Sequence, residues 1–183
     1  MSEVVRLTLV SHAMTDAMSA GRFPTDEPLN AVGLRQVDAG VGFGATEFAA
    51  VSGPEQRCRQ TAQLLGLRPT VEPRLADLDC GRWRGEMLDG VPSADLAVWL
   101  ADPTTAPNGG ESVVDLMDRV SGWLGSLTAS RSRTVAVTHP AVIRTAILLA
   151  LDAPAKSFWR IDVAPASRTE MHFRGHAWRL RSL

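Results

Sequence analysis

The sequence predicts an α/β protein, a three-layer α/β/α sandwich with a mainly parallel central sheet. Two observations carry this. Short β-branched, apolar runs alternate with stretches of helical periodicity, the pattern of a parallel sheet covered on both faces. One of those helices, over 141–151, is apolar nearly all round and so belongs in the interior. A length of 183 residues suits one domain spanning 1–183, and neither an internal repeat nor a low-complexity linker interrupts it.

Taken in order, Val4 to Val10 reads as a buried strand ending at Ser11-His12. Residues 13–30, rich in Thr, Asp, Gly and Pro, read as a loop. Asn30 caps a short helix whose Ala31, Leu34, Val37 and Val41 share one face. Glu47 to Val51 is a second strand, closed by Ser52-Gly53-Pro54, and Glu55 to Leu65 a helix that stops before Gly66. Thr70 to Glu72 is a brief strand, followed by an irregular acidic segment from Leu75 to Arg84 that holds Trp83.

Residues 85–110 contain one short helix near Ser93 to Leu100. Ser112 and Asp115 form a capping box for a helix with Val113, Leu116, Val120, Trp123 and Leu127 on its apolar stripe. Thr134 to Thr138 is a strand, and Pro140 occupies the first turn of the apolar helix that follows. Two last strands, Arg168 to Phe173 and Ala177 to Leu180, meet at a turn on Gly175. Trp83, Trp99, Trp123, Trp159 and Trp178 read as core or pocket-wall residues, and of these Trp83 and Trp99 fall in segments near the expected pocket rim.

A formal net charge of −1 supplies no field that recruits nucleic acid or an anionic membrane. Cys58 and Cys80 make neither a metal-type pair nor a disulfide framework. The N-terminus lacks the basic and long apolar regions of a signal peptide, and the longest apolar stretches are too short for a bilayer. The expectation is a cytoplasmic protein without nucleic-acid or membrane partners.

Ligands of open α/β sheets bind beyond the carboxyl ends of the strands. Three strand ends carry chemistry here: Ser11-His12, the stretch from Ser52 to Arg57, and His139. A neutral imidazole can attack phosphorus, and cationic side chains stabilise phosphoryl oxygens. His139-Pro140 opens a helix whose free N–H groups favour an anion. Equally, histidines at strand ends serve structure, and Arg57 and Arg59 on a helix read as a solvated face. Spacing alone therefore indicates an α/β protein with an anion site. His172 and His176 have metal-like spacing, but the Gly175 turn between them makes them hairpin residues. Neither a serine-hydrolase elbow nor a P-loop is present.

Six blocks in order raise this further. Residues 9–15, Leu-Val-Ser-His-Ala-Met-Thr, resemble Leu-x-Arg-His-Gly-x-Thr, and Asp26 to Gly33 resembles D-x-P-L-[TSN]-x-x-G. Ser52 to Ala62 resembles S-S-P-x-x-R-A-x-Q-T-A, and Leu75 to Gly85 is similar to L-x-E-x-x-x-G-x-W-x-G. Pro107 to Ser112 matches P-x-G-G-E-S, and Val137 to Arg144 resembles V-[ST]-H-x-x-x-I-R. These are signatures of the histidine phosphatase, or phosphoglycerate-mutase-like, superfamily, and together they span nearly the whole chain.

The resemblance implies that His12 is the nucleophile that becomes phosphohistidine, with Arg57 clamping phosphate and His139 holding phosphoryl oxygens. Asp77 stands where the family has its proton donor, usually Glu, with Asp79 a nearby competitor. Ser11 and Thr15, in the first block, are the remaining candidates for phosphate contacts. Two departures bear on activity: Ser11 replaces the family's arginine and Ala13 its glycine. Serine offers no planar cationic fork, a loss of roughly 10²–10³ in turnover unless another arginine, from among Arg22, Arg59 and Arg144, compensates. Ala13 adds a methyl group beside the nucleophile and disfavours a positive φ. Pro140 removes a backbone N–H just after His139.

The activity implied is that of a histidine-type acid phosphatase acting on a small-molecule phosphate ester, with neither metal nor other cofactor. Mutases of the family carry a longer insertion before the P-x-G-G-E-S block, so phosphoglycerate-mutase-type transfer fits less well. A binding or regulatory protein with the same pocket, catalytically weakened or inactive, is the alternative that Ser11 and Ala13 favour. The segments 14–29 and 85–110 are expected to form the rim that selects the substrate.

Overall fold

The computed structural model describes residues 4–37, 42–43, 47–129 and 132–182. Its centre is a six-stranded sheet: β1 (Val5–Ser11), β2 (Ala49–Ser52), β3 (Thr70–Val71), β4 (Arg133–Thr138), β5 (Arg168–Arg174) and β6 (Ala177–Ser182). The order is β3-β2-β4-β1-β5-β6. The first four strands are parallel, and the terminal hairpin of β5 and β6 adds antiparallel strands at one edge. Among the described residues six α-helices accompany it: α1 (Asp16–Ala20), α2 (Ala31–Gln36), α3 (Gln56–Leu64), α4 (Ser93–Ala101), α5 (Val113–Thr128) and α6 (Pro140–Ala150).

Strand alternation sends side chains to two cores, one on each face of the sheet. Leu7, Leu9 and Ala136 join the larger one, with Leu116, Val120 and Trp123 of α5 and Ile143, Ala146 and Ile147 of α6. Val10, Val135 and Val137 face the other way, against Cys58 and Ala62 of α3. The expected capping box starts α5, with the Ser112 hydroxyl accepting from Asp115 N and the Asp115 carboxylate accepting from Ser112 N. Strand β2 begins at Ala49 rather than at Glu47.

Two expectations change. The segment 13–30 holds a helix, α1, because the Thr15 hydroxyl caps Met18 N and Gly21, at φ 65°, closes the turn. In α2 the anticipated apolar face points outward: Ala31 and Leu34 are exposed, and Gly33 is the buried residue. A Cβ at Gly33 would lie 2.2 Å from Met14 O, so this helix docks backbone to backbone rather than through large side chains. Val41, assigned to that face, lies outside the described residues. Trp83 and Trp99 are core residues, as expected, in a chain of tilted and edge-to-face ring contacts that runs from Phe23 to Trp159.

Candidate active site

The carboxyl ends of β1, β2 and β4 converge, and His12, Arg57 and His139 come with them. His12 leaves β1 with its backbone pinned on both sides. Its N–H donates to Thr138 O at 2.9 Å, and its carbonyl accepts from Ala166 N at 3.2 Å. The Ala13 N–H donates to Thr61 Oγ1 at 3.0 Å. His12 Nδ1 lies 2.8 Å from Ala13 O, so this nitrogen carries the proton and Nε2 the lone pair. Burial, with the nearby charges of His139 and Arg57, pulls the His12 pKa down to about 3, so the ring is neutral near neutral pH. Ala13 is fully buried and does not adopt a positive φ, so the extra methyl group is accommodated without backbone strain.

Arg57, in the first turn of α3, is a core residue rather than part of a solvated face, with 2% of its surface exposed. Its Nη1 donates to Thr25 O at 2.7 Å and its Nη2 to Asp77 Oδ2 at 2.7 Å, while Nε has no hydrogen-bond partner among the described residues. Burial alone would raise the Asp77 pKa, but His139 and Arg57 outweigh it and hold the carboxyl well below the usual range. His139 caps α6 and is fully buried; its Nδ1 lies 3.3 Å from Asp77 Oδ2. Burial disfavours its charge, yet the carboxylate of Asp77 carries its pKa well above the ordinary histidine value. The rings of His12 and His139 meet edge to face, with centroids 5.2 Å apart.

Two residues of this cluster carried no sequence assignment. Glu55, the N-cap residue of α3, places Oε2 2.7 Å from His139 Nε2 and accepts from Asp77 N through Oε1 at 2.9 Å. Cys58, one turn along, brings Sγ to 3.3 Å from the same Nε2. Position 55 is an unspecified position of its block, and an isolated cysteine on a helix gives no pattern. Only the chain crossing that sets α3 beside the start of α6 reveals them.

Above the cluster opens a cavity of about 830 Å³, lined by Glu55, Arg57 and Asp77 together with Asp26, Asp79, Arg84, Glu111, Asp115 and Arg119. Six carboxylates therefore face three guanidinium groups, and each guanidinium already has a carboxylate partner: Asp77, Asp79 or Glu111. None of Arg22, Arg59 and Arg144 lines it. Arg59 is exposed, and Arg144 donates to Ile161 O at 2.7 Å. Ser11 is fully buried, with its hydroxyl 3.4 Å from His12 O. Thr15 is likewise buried, and its hydroxyl is engaged as the α1 cap. Asp79 lies at the cavity wall, paired with Arg84 at 2.7 Å. Among the described residues, no helix is long and apolar enough to cross a membrane.

Residues 7–183 match the model of the histidine phosphatase superfamily, branch 1. A bifunctional protein of Mycobacterium tuberculosis is 33% identical over 93% of this chain, which spans 51% of that protein. A glucosyl-3-phosphoglycerate phosphatase of the same organism is 34% identical over 68% of the chain and 61% of its own length. The chain thus spans little more than half the length of these curated relatives. A mycobacterial glucosyl-3-phosphoglycerate phosphatase solved in complex with VO3 superposes with a TM-score of 0.83 at 30% identity, covering 97% of each chain. By its family match and its fold, the chain belongs to branch 1 of the histidine phosphatase superfamily.

Proposed function

We propose that this protein hydrolyses a small-molecule phosphomonoester in two steps through His12, without a metal ion. The observation that carries the proposal is the state of His12: neutral, buried, and tied at Nδ1 to Ala13 O, so that the Nε2 lone pair is the nucleophile. In the first step Nε2 attacks phosphorus, the bond to the leaving oxygen breaks, and the phosphoryl group rests on His12. Arg57 and His139 supply the positive charge that its oxygens need, with Ser11 beside the nucleophile as a small neutral donor. Thr15, its hydroxyl spent on a helix cap, contributes less.

The phosphoryl oxygens take over from Asp77 as partners of Arg57 and His139. Released from both cations, the Asp77 carboxylate regains proton affinity, takes up a proton from solvent and passes it to the leaving oxygen. In the second step water attacks phosphorus, Asp77 accepts the proton of that water, and His12 is freed with inorganic phosphate as product. Relatives include glucosyl-3-phosphoglycerate phosphatases, so a glycosylated phosphoglycerate is the first substrate to try.

A second reading has its own support. Ser11 in place of arginine and a carboxylate-rich cavity both weaken the attraction for a phosphate dianion, which favours a catalytically weakened phospholigand-binding protein of the same fold. One experiment separates the two: release of phosphate across a panel of phosphate esters, with His12→Ala as control. Turnover that vanishes in the variant supports the hydrolase. An inert parent that binds the same esters supports the binding protein.

A further inference from the structure

The geometry points to a divalent transition-metal site formed by Glu55, Cys58 and His139. One donor atom from each lies within 4.8 Å of the others. Among the described residues this is the cluster of histidine, cysteine and carboxylate ligands able to enclose an ion. The contacts centre on His139 Nε2, with Cys58 Sγ at 3.3 Å and Glu55 Oε2 at 2.7 Å. Bond lengths of about 2.0–2.3 Å in a tetrahedron set donor atoms roughly 3.3–3.6 Å apart. The sulfur is already at that separation, and Glu55, the one partly exposed ligand, needs to withdraw by less than about 1 Å.

Independent features prepare the site. The Nδ1 of His139 faces Asp77 Oδ2 at 3.3 Å, the carboxylate–histidine arrangement that orients a ligating imidazole and leaves Nε2 for the metal. Asp77 N holds Oε1 of Glu55 at 2.9 Å, which directs Oε2 to the centre. Gly53 keeps the space open: a Cβ there would sit 3.1 Å from both His139 Nε2 and Glu55 Oε2, and 2.8 Å from Leu75 O. Gly53 and Cys58 stand where the corresponding block of the family pattern has serine and alanine.

Thiolate and carboxylate together balance a divalent cation, so the ion is buried without excess charge. Three protein ligands leave a fourth position, and Glu55 lines the cavity through which ion and solvent reach it. A thiolate with an imidazole and one carboxylate suits a borderline ion such as Zn²⁺ or Co²⁺, not Mg²⁺ or Ca²⁺. Binding displaces the proton shared between His139 and Glu55 and the thiol proton of Cys58, and no redox change is involved. The site shares His139 with the phosphatase reading, so a bound ion takes that imidazole from the phosphoryl group, and the cobalt spectrum reads the metal site without reference to turnover.

The test is titration of the reduced, metal-stripped full chain with Co²⁺. One equivalent should produce a thiolate-to-cobalt charge-transfer band in the near ultraviolet with visible bands of tetrahedral cobalt, unaffected by excess Mg²⁺. Cys58→Ser should abolish the charge-transfer band, whereas Cys80→Ser should keep it. Asp77→Asn, which replaces the carboxylate that faces His139 Nδ1 and pairs with Arg57 by a neutral amide of the same shape, should weaken Co²⁺ about 10- to 100-fold. Gly53→Ala, with folding checked by circular dichroism, should also weaken it. If Cys58→Ser fails to fold, loss of affinity in Glu55→Gln takes its place as the deciding result. No charge-transfer band in the parent, or a band that survives Cys58→Ser or disappears in Cys80→Ser, overturns the site and leaves a protonated His139 held by two carboxylates.

Discussion

Asp77 holds the guanidinium of Arg57 through a 2.7 Å ion pair, and the same carboxylate oxygen lies 3.3 Å from His139 Nδ1. One buried anion thus organises both cations of the cluster. Its removal leaves Arg57 charged and without a carboxylate in a site 2% exposed. Asp77→Ala should therefore lower folding stability by about 3–5 kcal/mol, read from the urea midpoint. Replacing both partners at once, as Arg57→Met with Asp77→Leu, should recover most of that loss. A single variant as stable as the parent would count against a tightly coupled pair.

His12→Ala should eliminate turnover and the acid-labile phospho-enzyme that rapid quenching traps in the parent. Phosphate appearing on His139 or on a serine, or turnover surviving in the variant, refutes the assignment of the nucleophile. Arg57→Ala, provided it folds, should reduce turnover by roughly 10²–10³ because it removes the charged donor to the transition state.

The His12 ring, with its pKa depressed from 6.5 to about 3, should not titrate by NMR between about pH 5 and 8. The sign for stability follows. Below pH 6.5 the unfolded chain protonates His12 while the native chain does not, so stability falls as pH drops toward about 3. His12→Asn should flatten this acid limb in urea midpoints measured across pH. Asp77 and Glu55, both depressed in the native state, add losses in acid that the variant retains. His139 acts in the other direction: its raised pKa stabilises the fold fully below the ordinary histidine value and is lost as pH rises through its native value.

Ser11→Arg should raise turnover of a generic phosphate ester by up to roughly 10²-fold, through a charge-assisted contact to the phosphoryl oxygens. Ser11 is fully buried, so Ala13→Gly belongs beside it to make room in the loop. A brisk parent with no gain in either variant means that the pocket is complete without that guanidinium.

A chelator should not lower phosphatase turnover, because the reacting groups of the proposal are protein side chains. Loss of activity in chelator, restored by a single metal, overturns that part of the mechanism.

Much of the fold was legible locally. The β-branched run before His12, the Ser112–Asp115 box and the apolar helix after Pro140 each carry their information within a few residues. Periodicity misled where a helix docks through its backbone: Gly33 packs on Met14, and the apolar side chains of α2 are left outside. Thr15 was legible as a polar residue after the first strand, but not as a cap, because the helix it starts is only five residues long.

By itself the sequence determined the alternation of elements, the placing of His12 and His139 at strand ends, and membership of a family recognised by six ordered blocks. Those are properties of adjacent residues and of their order. Only the tertiary structure decided which groups surround His139, because Glu55 is 84 residues away along the chain and Cys58 is 81. Parallel strands β2 and β4 are neighbours in the sheet, and that pairing, made by backbone hydrogen bonds, sets the start of α3 against the start of α6. The site's charge was decided there too. A nearly neutral chain carries six carboxylates to one cavity, and burial together with the charges that folding brings close then fixes which of the clustered groups keep their protons.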